Sequence, residues 1–268
     1  MLDLIQITND PAMARRCDAL DGMRIFVDLE RVGKAERQAG RNTFISAHRL
    51  EDVGRVRQVL KRSKLMVRID PWQPDSPDQI EAVLAQGADL VMLPMAHSAG
   101  EVRQFAAALK WRVPGVVLLE TPDALEGLDS WIDTPGLAEV YLGLNDLHIA
   151  LGMRFMFEPL ASGVVDRVAG AAHRNGLRFG FGGIARLDEG LLCGRDVLAE
   201  HQRVGSQAVI LSRTFHRTGG AATLEDEVAA LRQAEAELGL RTPPQREADR
   251  CRIAARIEGV AAGTTTVA

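Results

Sequence analysis

The stretch GVVLLETPDAL, residues 115–125, read together with EVYLGLNDLHIALG, residues 139–152, decides the fold. Each begins as a short run of aliphatic and β-branched residues, the pattern of a strand buried on both faces. Each then places a carboxylate where the apolar run stops, Glu120 in the first and Asp146 in the second. Two successive parallel strands that end in acids put a pair of oxygen ligands on one rim. That pair suits a hard divalent cation, which keeps waters and takes substrate oxygens. Taken singly, either acid reads more readily as a helix cap. The paired reading rests on what ends the other strands.

Outward from this centre the same alternation repeats. LDLIQIT (2–8), RIFVDLE (24–30), TFISA (43–47), LMVRID (65–70), LVMLPM (90–95), RFGFGGI (178–184) and QAVILSR (207–213) read as further strands. Between them lie helical patterns: residues 11–20 with Asp10 as cap, 50–62, 77–87, 97–110, 155–176 and 189–205. Alternating strands and helices imply a parallel sheet with right-handed crossovers. Nine candidate strands are one more than a (β/α)8 TIM barrel needs, so either TFISA or the first strand lies outside it. No Gly-rich turn follows the first strand, which argues against an open dinucleotide-binding sheet. The reading is a barrel over residues 1–220 and a C-terminal helical extension over 221–268. The extension holds a helix capped by Thr223, a Pro243–Pro244 break, a last amphipathic helix and the flexible tail GTTTVA.

Composition narrows the class. A chain of 268 residues with 46% hydrophobic and 25% charged residues can bury a full-sized core. A net charge of −4 with interspersed signs predicts no nucleic-acid partner. No apolar run is long enough to span a bilayer, and MLDLIQITND is no signal peptide. Cys17, Cys193 and Cys251 have no metal-ligand spacing, which favours a reducing compartment. A cytoplasmic location is expected.

In a barrel of this kind chemistry is confined to the carboxyl-terminal rim. The strand ends there supply Glu30, His48, Arg68, Glu120, Asn145 with Asp146, and Arg213. Acids, an imidazole and two guanidiniums gathered at one rim point to an enzyme. Each has a plainer role as well. Arg68 pairs with Asp70 or an inter-strand acid in one reading, and grips a planar carboxylate or enolate with forked donors in the other. Glu30 is open to a salt bridge with Lys34 or Arg68. His48, with His148 as competitor, is the candidate proton shuttle. GFGGIA (180–185) with Arg186 and Arg213 is read either as a phosphate cradle or as close backbone packing.

VDLE, VRID, GADLVMLPM, LLETPDAL and YLGLNDLHIALG occur here in the order found in the HpcH/HpaI aldolases and citrate lyase β-subunits, which the chain resembles over about residues 22–215. The resemblance implies a TIM barrel assembled as a trimer or hexamer, with a C-terminal helix exchanged between subunits. It implies Glu120 and Asp146 as ligands of Mg2+ or Mn2+, and Arg68 facing a pyruvate or enolate oxygen. It implies that the backbone turn around Gly143 and Leu144 receives a carboxylate. Two positions depart from the pattern. Arg31 stands where the aldolases place a histidine after the second-strand acid, and Met95 where the acyl-CoA lyases place a lysine. RNTFISAH, FMFEPL and GFGGIARLDEG resemble a further branch, that of relatives from surface-polysaccharide gene clusters.

The expected function is a metal-dependent carbon–carbon lyase (aldolase) that forms or cleaves a 2-oxo acid through a pyruvate enolate. Arg68, His48 and Glu30 are its catalytic candidates, and Arg68, Gly143, Leu144, Asn145 and Arg213 bind substrate. The partner substrate is an aldehyde or thioester. The alternatives are a phosphoenolpyruvate- or acyl-CoA-using transferase and a non-catalytic barrel subunit.

Overall fold

The computed structural model describes residues 1–33, 47–216 and 222–263. Eight parallel strands form a closed barrel in chain order: β1 (Asp3–Ile7), β2 (Met23–Asp28), β3 (Lys64–Arg68), β4 (Leu90–Leu93), β5 (Gly115–Leu119), β6 (Leu137–Leu142), β7 (Arg178–Ile184) and β8 (Ala208–Leu211). The expected α/β TIM-barrel class is therefore observed. The first strand belongs to the barrel, and the eight strands are complete without TFISA, of which residues 43–46 lie outside the described residues.

The helices on the described residues are α1 (Pro11–Asp18), α2 (Leu50–Arg57), α3 (Ser76–Ala85), α4 (Ala99–Leu109), α5 (Pro122–Glu126), α6 (Leu144–Ala150), α7 (Glu158–Ala161), α8 (Val164–Arg174), α9 (Gly194–Val204), α10 (Leu224–Gly239) and α11 (Pro243–Ala261). Their starts follow local chemistry. Asp10 accepts from the amides of Ala12 and Met13 ahead of Pro11, and Ser98 and Thr121 cap α4 and α5 through their hydroxyls. The helix read over 155–176 is two helices, because Gly163 turns left-handed at φ 80° between them.

The chain divides into two compact units, Asp3–Tyr141 and Met1–Leu2 with Leu142–Ala268. In the first, β1 to β5 pair in parallel register, with Asp28 opposite Arg68 and Val67 opposite Val91. Ile25, Val27, Leu65, Val67, Val91 and Val117 are fully buried, which fits strands covered on both faces. In the second, β7 and β8 pair with a register shift between Gly180 and Gly183.

Within the chain α11 packs on α7 and α9, and α10 packs on α9. Ile253 and Ile257, one turn apart on α11, are fully buried in this packing, each contributing about 1.5–3 kcal/mol. Arg252 adds a forked pair to Asp196 on α9, at 3.0 and 2.7 Å. The tail from residue 264 lies outside the described residues.

Candidate active site at the carboxyl-terminal rim

Parallel pairing brings Asp28, the last residue of β2, beside Arg68, the last of β3. The guanidinium donates from Nε to Asp28 Oδ1 and from Nη2 to Oδ2, both at 2.9 Å. Nη2 also lies 3.1 Å from Glu30 Oε2. Of the two structural partners considered for Arg68, the inter-strand acid is the one used. Asp70 instead accepts from the amides of Arg31 and Val32 at 2.6 and 3.0 Å, locking the loop after β2 to the loop after β3. The Arg68 guanidinium carbon sits 5.6 Å from the centroid of the Phe26 ring. Burial disfavours its charge, but Asp28, Glu30 and Glu120 more than compensate and hold it firmly protonated.

Glu120 follows β5 and is buried. One of its oxygens accepts the Met95 amide at 3.2 Å. Met95 makes that contact from a left-handed backbone, φ 50°, which costs a non-glycine residue on the order of 1–2 kcal/mol. The side chain of Thr121, next to Glu120, donates to the Ala96 carbonyl at 2.6 Å, tying the β4 loop to the end of β5. Neither Asp28 nor Met95 was among the residues expected at the site. The strand reading RIFVDLE (24–30) ends in both Asp28 and Glu30 but runs two residues past β2, which puts Glu30 rather than Asp28 at the rim. Met95 contributes a backbone group, which side-chain chemistry does not advertise.

His48 is buried just before α2, and its Nδ1 accepts the Asp28 amide at 3.0 Å. The amide of Thr8 bonds Phe26 O below it, so His48 supplies the next rung where β1 has ended. An accepting Nδ1 fixes the neutral ring as the Nε2–H tautomer. Arg31, in the place of the expected histidine, sends Nη2 to the His48 carbonyl at 3.0 Å.

In the second unit Gly143 leads into α6, whose first turn carries Asn145 and Asp146. Asn145 Nδ2 donates to Asp146 Oδ1 at 3.1 Å, and His148 is turned back to the Leu144 carbonyl at 3.1 Å. A Cβ added at Gly182 (φ 54°) would come within 2.9 Å of Leu144 Cδ1, so the glycine-rich β7 serves close packing at that position. Arg186 lies 3.4 Å from Glu227 and 3.8 Å from Glu189. Arg213 is exposed at the start of a short 3-10 turn (Arg213–His216).

The donor set suits a hard cation. Three carboxylates, Asp28, Glu30 and Glu120, act on one guanidinium, a surplus of negative charge of the size a divalent ion neutralises. Among the described residues no three or more His, Cys, Asp or Glu side chains gather as a ready metal cage. Mg2+ does not ask for one, since it binds through one or two carboxylates and retains waters.

A parallel barrel with acids and an arginine at its carboxyl-terminal rim defines the class, an α/β barrel of enzyme type. Residues 6–177 match the model of the HpcH/HpaI aldolase/citrate lyase family, and the chain belongs to that family. Solved structures share the fold at low identity. An HpcH/HpaI aldolase from Desulfitobacterium hafniense is 18% identical, with a TM-score of 0.61 over 88% of this chain and 90% of that one. The citrate lyase β-subunit from M. tuberculosis, complexed with oxaloacetate and magnesium, is 19% identical, with a TM-score of 0.59 over 87% and 96%. Citrate synthase SbnG is 16% identical, with a TM-score of 0.61 over 87% and 92%. Among curated proteins none matches the chain in sequence.

Proposed function

We propose that this chain is a divalent-cation-dependent carbon–carbon lyase whose reaction passes through a pyruvate enolate. The observation that carries the reading is Arg68, buried at the rim and held by Asp28 and Glu30 with Glu120 close enough to act on its charge. Glu120 and Asp146 are the proposed ligands of Mg2+ or Mn2+. When bound, the cation would polarise the oxygens of a 2-oxo acid as a Lewis acid. Arg68 donates to the oxygen that gains charge as the carbon–carbon bond breaks. Gly143, Leu144 and Asn145 receive the substrate carboxylate at the start of α6, and Arg213 is a further substrate-binding residue. Glu30 holds the guanidinium from its second side. His48 contributes as an Nε2–H donor, because its other nitrogen is occupied by the Asp28 amide.

The partner half of the substrate is an aldehyde or a thioester, and a homo-oligomer is the proposed assembly. The likeness to a citrate lyase subunit complexed with oxaloacetate and magnesium supports the 2-oxo acid and the cation. No described helix is long and apolar enough to cross a membrane. The test is decarboxylation of oxaloacetate, which reports enolate stabilisation whatever the natural aldehyde. Activity that requires Mg2+ or Mn2+ is expected. A metal-loaded protein without activity would move the assignment to a phosphoenolpyruvate- or acyl-CoA-using transferase, or to a non-catalytic barrel.

A further inference from the structure

The forked edge of Arg68 is not available to a substrate. Nε and Nη2 each donate to one oxygen of Asp28, and Nη2 also reaches Glu30. The side chain is 14% exposed, and Nη1 is the one guanidinium nitrogen that makes no hydrogen bond among the described residues. Asp28 is itself held on every side. Its amide is fixed by His48 Nδ1 at 3.0 Å, and its Oδ1 also accepts the Glu30 amide at 3.2 Å. A carboxylate ligand would ask for two parallel donors in a fork. A single oxygen that becomes negative in the transition state asks for one donor already in place.

We propose that Asp28 is a positioning residue: it clamps Arg68 by its Nε/Nη2 edge so that Nη1 alone addresses one enolate oxygen of the substrate. This rests on the reaction proposed above. Asp28 acts on turnover through Arg68, and the substrate carboxylate is bound elsewhere on the rim.

The test is a double-mutant cycle on the full-length protein with Mg2+, comparing wild type, Asp28→Asn, Arg68→Lys and the double variant by proton exchange at the pyruvate methyl. Asp28→Asn is expected to lower kcat about tenfold to a hundredfold, with KM and metal content little changed. In the Arg68→Lys background the same change is expected to cost less than about twofold, because its route of action is gone. Equal losses in both backgrounds overturn the proposal. A second readout needs no activity. The Arg68 Nε–H signal of 15N-labelled protein, assigned by its loss in Arg68→Lys, should exchange slowly in wild type and fast in Asp28→Asn. Unchanged protection overturns the clamp even if wild type is inactive. Inactivity of metal-loaded wild type with protection lost in the variant instead overturns the reaction and keeps the clamp. Asp28→Ser carries both measurements if the asparagine variant does not fold.

Discussion

Two arginines on neighbouring strands are buried among carboxylates, and their surroundings differ in a way that separates scaffold from site. Arg24, near the start of β2, donates from Nη1 to Glu139 at 2.8 Å and from Nη2 to Asp3 at 2.6 Å. Its side chain is 5% exposed, and its Nη1 also lies 3.9 Å from the sulfur of Met66. Arg68, at the other end of β3, faces three acids, and among the described residues no acceptor takes its Nη1. Burial disfavours both charges, and carboxylates more than restore them in both cases. The Arg24 cluster turns both terminal nitrogens to acids within the protein. The Arg68 cluster carries extra negative charge and the Nη1 donor, which is what a site for a cation and an anionic substrate requires.

Removing each arginine should therefore break different things. Arg24→Met leaves Glu139 buried without its cation and should cost about 3–5 kcal/mol of stability. Its activity per folded molecule should stay near wild type. Denaturant unfolding beside a rate assay checks this, and a stable variant would mean the cluster is dispensable.

The rim offers the next largest lever. Mg2+ at a hundredfold excess over its Kd should stabilise wild type by about 2.7 kcal/mol. Glu120→Gln and Asp146→Asn should each abolish that gain while the fold persists, as read by thermal melts and metal analysis. Full metal occupancy in both variants would remove them as ligands.

The smallest effect lies away from both arginines. His201 on α9 is fully buried, stacked on Phe181 at 3.8 Å, with Nδ1 2.8 Å from Ser206 Oγ. Burial pushes its pKa down to about 3. The unfolded chain takes up a proton near pH 6.5 and the folded chain does not, so stability present above pH 6.5 is lost as pH falls from there toward 3. The slope is about 1.4 kcal/mol per pH unit within that window. His201→Gln should flatten it between pH 6.5 and 5; an unchanged slope would place the titration elsewhere.

The legibility of the sequence followed the same division. Buried strands such as GVVLL and LVML announce themselves by composition alone, and the caps at Asp10 and Thr223 stand where their chemistry puts them. The end of β2 was harder. DLE continues the acid-rich pattern past the last paired residue, so the acid that grips Arg68 was passed over for the one two residues on. Only the register of β2 on β3 shows that Asp28 is opposite the guanidinium. His48 was legible as a residue near the rim but not as a ladder partner, because the amide it caps belongs to a strand 20 residues away. The strain at Met95 is a backbone property and left no mark in side-chain pattern. The C-terminal helices were read correctly as helices. Their docking on α7 and α9 depends on tertiary fit at Ile253 and Ile257, which amphipathicity alone does not assign to one chain or another.

The most direct test of the central claim is proton exchange at the methyl of pyruvate, followed by NMR with Mg2+ and with metal content checked in parallel. Wild type should exchange in a metal-dependent manner. Arg68→Lys should keep the metal and its thermal stability but lose at least roughly tenfold in rate, since lysine cannot both bind Asp28 by a fork and present a second donor. Exchange at the wild-type rate in Arg68→Lys, or none in metal-loaded wild type, would contradict the account.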